Sequence, residues 1–227
     1  MIIEGNRQTL EQRAARLLAE GLNQRLGTRP QASFGVVGGR SVGGILDLLG
    51  CQQVEWGRVH LFMADERLVA LDHPDSNYRL VHSRVSSYMV PGNLHPFVCR
   101  PGEERSALRG YREELERAGG RLDAVLLSSG EDGHIASLFP EHETVDSPED
   151  FFITTSTAPK PPPLRMSAAP KLLAGASTAV LLFFGAGKQQ ALIDFMDDAV
   201  PLRRCPAKIV KAIDRHFILT DRDGEVS

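Results

Sequence analysis

The sequence predicts an α/β fold: a three-layer αβα arrangement around a mostly parallel, doubly wound (Rossmann-like) sheet. Short, nearly continuous apolar runs at 33–37, 59–63, 123–127 and 178–184 are the pattern of strands buried on both faces. Segments with helical spacing of apolar residues alternate with them. Three of the runs end in glycine-rich turns, Gly38-Gly39, Gly130 to Gly133 and Gly185-Ala186-Gly187, as expected where the carboxyl ends of parallel strands share one ligand-binding rim.

Each element follows from local chemistry. Leu10, Ala14, Leu17, Leu18, Leu22 and Leu26 fall on one helical face, Thr9 and Gln12 resemble a capping box, and Gly27 with Pro30 ends that first helix. A strand at 33–37 is stopped by Gly38-Gly39, and a helix at 42–49 is ended by Gly50. A strand at 59–63 leads through a polar stretch, 64–77, to a helix at 78–88. A further helix, rich in i,i+4 charge pairs, covers 103–118. The strand at 123–127 runs into Ser-Ser-Gly-Glu-Asp-Gly-His, and that at 178–184 into Gly-Ala-Gly-Lys and a helix at 188–196; residues 216–220 form a closing strand. Pro159 to Pro163 reads as a stiff surface loop. Residues 1–227 are expected to form a single domain.

Composition narrows the function. The 26 basic and 29 acidic residues leave a net charge of −3 without long single-sign blocks, so neither nucleic acid nor a membrane surface is an expected partner. Cys51, Cys99 and Cys205 are odd in number and far apart, which fits reduced thiols in a cytoplasmic protein. Glu4 and Arg7 interrupt the position of a signal-peptide core, and no apolar run is long enough to span a bilayer. No GxGxxG follows the first strand, Lys188 lacks the P-loop pattern around it, and neither GxSxG nor HExxH occurs. His134 lacks partners at metal-ligand spacing.

What remains is a set of glycine turns carrying cations and one histidine. The loop Gly38-Gly39-Arg40-Ser41 can offer backbone N–H groups to an anion, although a glycine pair also suits a bare turn. Arg67 ends Asp65-Glu66-Arg67, and Lys188 opens a helix. A lone surface cation is often only solvated, but a lysine in a helix's first turn opposes the helix dipole, and a bound anion accounts for its placement. His134, with Glu131 and Asp132 beside it between close glycines, has the setting of a general base and acid.

These residues resemble the 6-phosphogluconolactonase family, itself similar to the glucosamine-6-phosphate deaminases. The matching stretches are Asp65-Glu66-Arg67-Leu68-Val69 with Asp75-Ser76-Asn77-Tyr78, then Gly130-Glu131-Asp132-Gly133-His134-Ile135-Ala136-Ser137-Leu138-Phe139-Pro140, Pro159-Lys160-Pro161-Pro162-Pro163-Leu164-Arg165 and Gly185-Ala186-Gly187-Lys188. The resemblance implies the deaminase/lactonase type of sheet and hydrolysis of 6-phospho-D-glucono-1,5-lactone to 6-phospho-D-gluconate in the oxidative pentose phosphate pathway, without metal or organic cofactor. It implies His134 as general base and acid, with Glu131 and Asp132 supporting it. Substrate binding falls to Gly38, Gly39, Arg40, Ser41, Asp65, Arg67, Arg165 and Lys188, and the partner is a small sugar phosphate. The continuation Ser137-Leu138-Phe139-Pro140 favours the lactonase over the deaminase branch. A catalytically silent sugar-phosphate sensor is the rival from another class.

Overall fold

The chain opens with a short strand, β1 (Ile2–Glu4), and the helix α1 (Arg7–Leu26). The helix starts earlier than the expected capping box. Asn6 has the extended backbone an N-cap requires, and its side chain accepts a hydrogen bond from Thr9 N at 2.9 Å. Next come β2 (Ala32–Val36), α2 (Gly43–Leu49), β3 (Val59–Met63), β4 (Asp65–Arg67), α3 (Asn77–Val85), β5 (Leu94–His95), α4 (Glu104–Arg117) and β6 (Ala124–Ser128). The chain continues through β7 (Phe152–Thr155), β8 (Arg165–Ala168), α5 (Pro170–Ala174), β9 (Thr178–Phe183), α6 (Gln189–Met196) and β10 (Arg215–Thr220). This computed structural model describes residues 1–221; 222–227, the end of the expected 1–227 unit, lie outside the described residues.

Seven strands pair in parallel in the order β1-β10-β9-β6-β2-β3-β5. From β2 the chain steps outward to β3 and β5, then returns to place β6 on the other side of β2. Strand order therefore reverses between β2 and β6, the place where open α/β sheets leave a crevice beyond the strands' carboxyl ends. Val36 lies opposite Leu126 and also opposite Met63, so the loops after β2, β3 and β6 leave at one level.

The buried strand residues explain why the sheet is covered on both faces. β2, β6 and β9 are buried almost throughout. Leu10, Leu18 and Leu22 of α1 and Phe34, Phe62 and Phe183 of the strands are fully buried, each contributing roughly 1.5–3 kcal/mol of transfer free energy. Among the described residues, no helix is long and apolar enough to cross a membrane.

A second, antiparallel sheet, ordered β4-β8-β7, corrects the reading of 64–77 as a polar stretch without a strand, and it also takes in Arg165 just beyond the proline loop. Three consecutive charged residues give no alternating pattern; they become a strand because β8 supplies the pairing partner, setting Arg67 opposite Arg165. Ala168 N donates to Ala64 O at 2.7 Å, tying this sheet to the end of β3. Two helix boundaries also move. α3 stops at Val85 rather than reaching Tyr88, and α6 begins at Gln189 after a 3₁₀ turn, Ala186–Lys188.

Candidate active site

The loop after β6 is built around three glycine-dependent contacts. Gly130 N donates to His134 O at 2.7 Å and Gly133 N to Gly130 O at 3.2 Å, closing a tight turn. Gly133 has φ of +84°, and a Cβ there would lie 3.0 Å from Cys205 Sγ. From outside the turn, Ala207 N donates to Gly133 O at 3.0 Å. Burial pushes the Cys205 thiol up to about 11, so this sulfur is packing rather than a nucleophile.

The turn delivers His134 with a fixed orientation. Its Nδ1 lies 2.5 Å from Asp132 Oδ1, and its ring packs on Phe139 with centroids 4.8 Å apart. Lys160 Nζ reaches Asp132 Oδ2 at 3.1 Å and stands 3.4 Å from His134 Nδ1. Burial raises the Asp132 carboxyl, but the hydrogen bond and charge of His134, joined by those of Lys160, outweigh it and hold the group well below the usual carboxylate range. An ionised Asp132 accepts the Nδ1 proton, which leaves Nε2 with its lone pair. Among the described residues Nε2 has no hydrogen-bond partner.

The first loop approaches from β2. A Cβ on Gly38 would lie 1.9 Å from Asn77 Oδ1, so only glycine fits, and Gly39 has φ of +105°. Arg40 is exposed, and Ser41 O accepts from Arg7 Nη2 at 3.1 Å.

Charged residues on the small sheet face inward. Glu66 accepts from the backbone of Arg67, Asn77 and Tyr78, each at 2.7 Å, and so holds the start of α3; burial still pushes its carboxyl up. Asp65 is buried, bonded by Asn77 Nδ2 at 3.0 Å and Ser137 Oγ at 3.4 Å. Burial raises its carboxyl more than Arg67 and Arg165 lower it. Its closest partners are therefore protein groups, although it borders the cavity.

Arg67 and Arg165 are cross-strand neighbours of like charge. Arg67 Nη1 donates to Asp75 O at 2.6 Å, while its buried Nε has no acceptor among the described residues. Arg165 donates to the carbonyls of Lys160, Pro161 and Pro162 and is lowered by burial and by Arg67. Two juxtaposed guanidiniums with donors to spare have the chemistry to receive an anion. Lys188 is half-buried; burial lowers its ammonium, Glu131 and Asp132 counter this, and Lys160 and Arg40 add to it.

One cavity of about 700 Å³ joins these groups. It lies at the switch point between β2 and β6. Gly38, Gly39, Arg40, Ser41, Asp65, Arg67, Glu131, His134, Arg165 and Lys188 all border it, and Asp132 supports it from behind His134. Glu131 lies toward Gly187 and acts on Lys188 by charge. The cavity lining also includes Lys160, Asn77 and Arg7, which the sequence reading of the site did not name. Lys160 and Asn77 stand within the quoted motifs, which was the available signal. Arg7 stands in α1, over the Phe184 ring at 4.2 Å, and carries no local signal.

A family model described as glucosamine-6-phosphate isomerases/6-phosphogluconolactonase matches residues 5–219. The chain belongs to this family. A 6-phosphogluconolactonase of Borreliella burgdorferi is 36% identical over 195 residues, covering 83% of this chain and 83% of that protein. One from Synechocystis is 30% identical over 228 residues, covering 96% and 94%. The crystal structure of a 6-phosphogluconolactonase from Thermotoga maritima superposes with a TM-score of 0.85 at 22% identity, covering 98% of this chain and 99% of that one, which establishes the shared fold. Within the glucosamine-6-phosphate isomerase/6-phosphogluconolactonase family, the Gly130–His134 turn and the Lys160–Arg165 segment of this chain meet at one cavity despite their separation in sequence.

Proposed function

We propose that the protein hydrolyses 6-phospho-D-glucono-1,5-lactone to 6-phospho-D-gluconate, in the oxidative pentose phosphate pathway, using water activated by His134. The observation that carries this reading is the Asp132–His134 pair beside a cavity rimmed by Arg67, Arg165 and Lys188. The names of the relatives supply the substrate class. Nε2 of His134 takes a proton from water, which attacks the lactone carbonyl; cationic rim donors stabilise the oxyanion, and the imidazolium returns the proton to the departing ring oxygen. Asp132 stabilises the imidazolium between the two transfers, and Lys160 holds Asp132 in place. No covalent nucleophile is required.

The direct test incubates the protein with the phospholactone and, separately, with glucosamine 6-phosphate. Acid release from the first above the spontaneous rate, without ammonia from the second, is the expected result. Ammonia release, or no acid above background, refutes the reading.

The rim cations read the phosphate in this scheme. Lys188→Ala or Arg67→Ala is expected to raise KM for the phosphorylated lactone about tenfold or more, as for loss of one charge-assisted contact, with a smaller change for unphosphorylated gluconolactone. Equal losses on both substrates would show that these side chains do not contact the phosphate.

Alkaline pH provides an independent check on Lys188. Its lowered pKa means that the positive charge is lost, as pH rises, below the ordinary lysine value of 10.5. Above about pH 8 the phosphate is already a dianion, so affinity for 6-phosphogluconate should fall as pH rises while Lys188 deprotonates. Calorimetric titrations should show that Lys188→Arg removes most of that fall. The same pH dependence in both proteins would assign the titration to another group.

A further inference from the structure

At the opposite end of the sheet, where β6, β9 and β10 begin, three arginines converge on a second cavity of about 610 Å³. We propose that this cavity is a binding site for a phosphate group, inorganic or carried by a small phosphomonoester, separate from the lactone site. The proposal does not depend on the identity of the reaction.

The site is organised by one buried acid. Asp123, just before β6, accepts from Ser33 N at 3.0 Å through Oδ2, while its Oδ1 lies 2.6 Å from Arg25 Nε and 3.5 Å from Arg121 Nε. Its side chain is only 3% exposed, so it holds two guanidiniums together and its single charge balances only one. Arg121 Nη2 is anchored to Gly175 O at 3.0 Å and Ser177 Oγ at 2.5 Å. Arg215, held by Gln24 Oε1, adds the third cation at the start of β10. The other carboxylate on the wall, Asp214, is exposed and screened by solvent.

The donors point to an oxygen-rich anion. Arg215 donates through Nη1 to Gln24 and has no other acceptor among the described residues, so its remaining N–H groups have no protein partner there. The planar guanidinium fork matches two phosphate oxygens at once. Gly175 and Ala176 add little side-chain volume to the lining, which leaves room for a phosphate with a short body attached. Both ends of the parallel sheet then carry cationic cavities, one containing the histidine and one without it.

Calorimetry can isolate this site by titrating inorganic phosphate, and separately a hexose 6-phosphate, into Arg67→Ala/Lys188→Ala protein. Saturable binding of either probe is expected, weakened about tenfold or more by adding Arg215→Gln and less by Arg215→Lys. Equal binding of both probes assigns recognition to the phosphate alone; binding of the hexose phosphate alone assigns part of it to the sugar. No saturable binding of either, or affinity unchanged by Arg215→Gln, overturns the proposal. Arg25→Lys is the second variant, because it preserves the charge beside Asp123 while removing the fork; it too should weaken binding, and unchanged affinity would count against the site. Melting temperature and turnover of the single Arg215→Gln protein should stay at wild-type values, which separates lost binding from lost folding.

Discussion

His134→Ala is expected to lower kcat for the phospholactone by about 10²–10⁴, the usual worth of a positioned general base. Removing the imidazole leaves the cations of the cavity in place, so KM should change far less than kcat. Stability should hold as well. The side chain is partly exposed and its closest contacts are Asp132 and Phe139, so truncation opens toward solvent instead of hollowing the core. Asp132→Asn sharpens the test: its amide oxygen can still accept from Nδ1, but it carries no charge to stabilise the imidazolium. A smaller kcat loss than for His134→Ala is the expected ordering. The measurement is initial acid release, with spontaneous lactone hydrolysis subtracted and the melting temperature followed in parallel. Unchanged turnover in His134→Ala would remove this residue from the mechanism and leave a binding protein with cationic walls.

How much of this was legible in the sequence depended on the range of the forces involved. Parallel strands buried on both faces leave apolar runs that need no partner to be recognised, so β2, β3, β6 and β9 were readable, as were the glycine turns beyond them. β4 was not, because Asp65-Glu66-Arg67 is a strand only through pairing with residues about a hundred positions away. Asp65 shows the consequence. It borders the cavity as a neighbour of Arg67, but nothing in the local sequence shows that its carboxylate also meets Asn77 and Ser137. Lys160 is a similar case: a lysine between prolines has no local role, and acquires one only when its loop meets Asp132. Asn6 was overlooked for a nearer reason, since Thr9 three residues later is also a residue type that caps helices.

Gly130→Ala is expected to approach the His134→Ala defect without changing an ionisable group. An added Cβ would lie 1.9 Å from His134 Nδ1, 2.1 Å from His134 Cε1 and 2.5 Å from Asp132 Oδ1. Those atoms are side-chain ends, so the clash can be relieved by rotating the imidazole and the carboxylate away. Relief of this kind costs little stability, about 1–3 kcal/mol as for other small overpacking changes. It does break the Asp132–His134 contact that leaves Nε2 as the base, and near-attack geometry tolerates displacements of only about 1 Å before rates fall by orders of magnitude. A kcat loss of about 10²–10⁴ with KM largely retained is therefore expected, read from steady-state kinetics alongside thermal melting. A variant that melts normally and turns over normally would show that His134 works from a different rotamer, and the hydrogen bond to Asp132 would then have no part in catalysis. A variant that melts far lower would instead place the strain in the backbone of the turn, where Gly130 N holds His134 O.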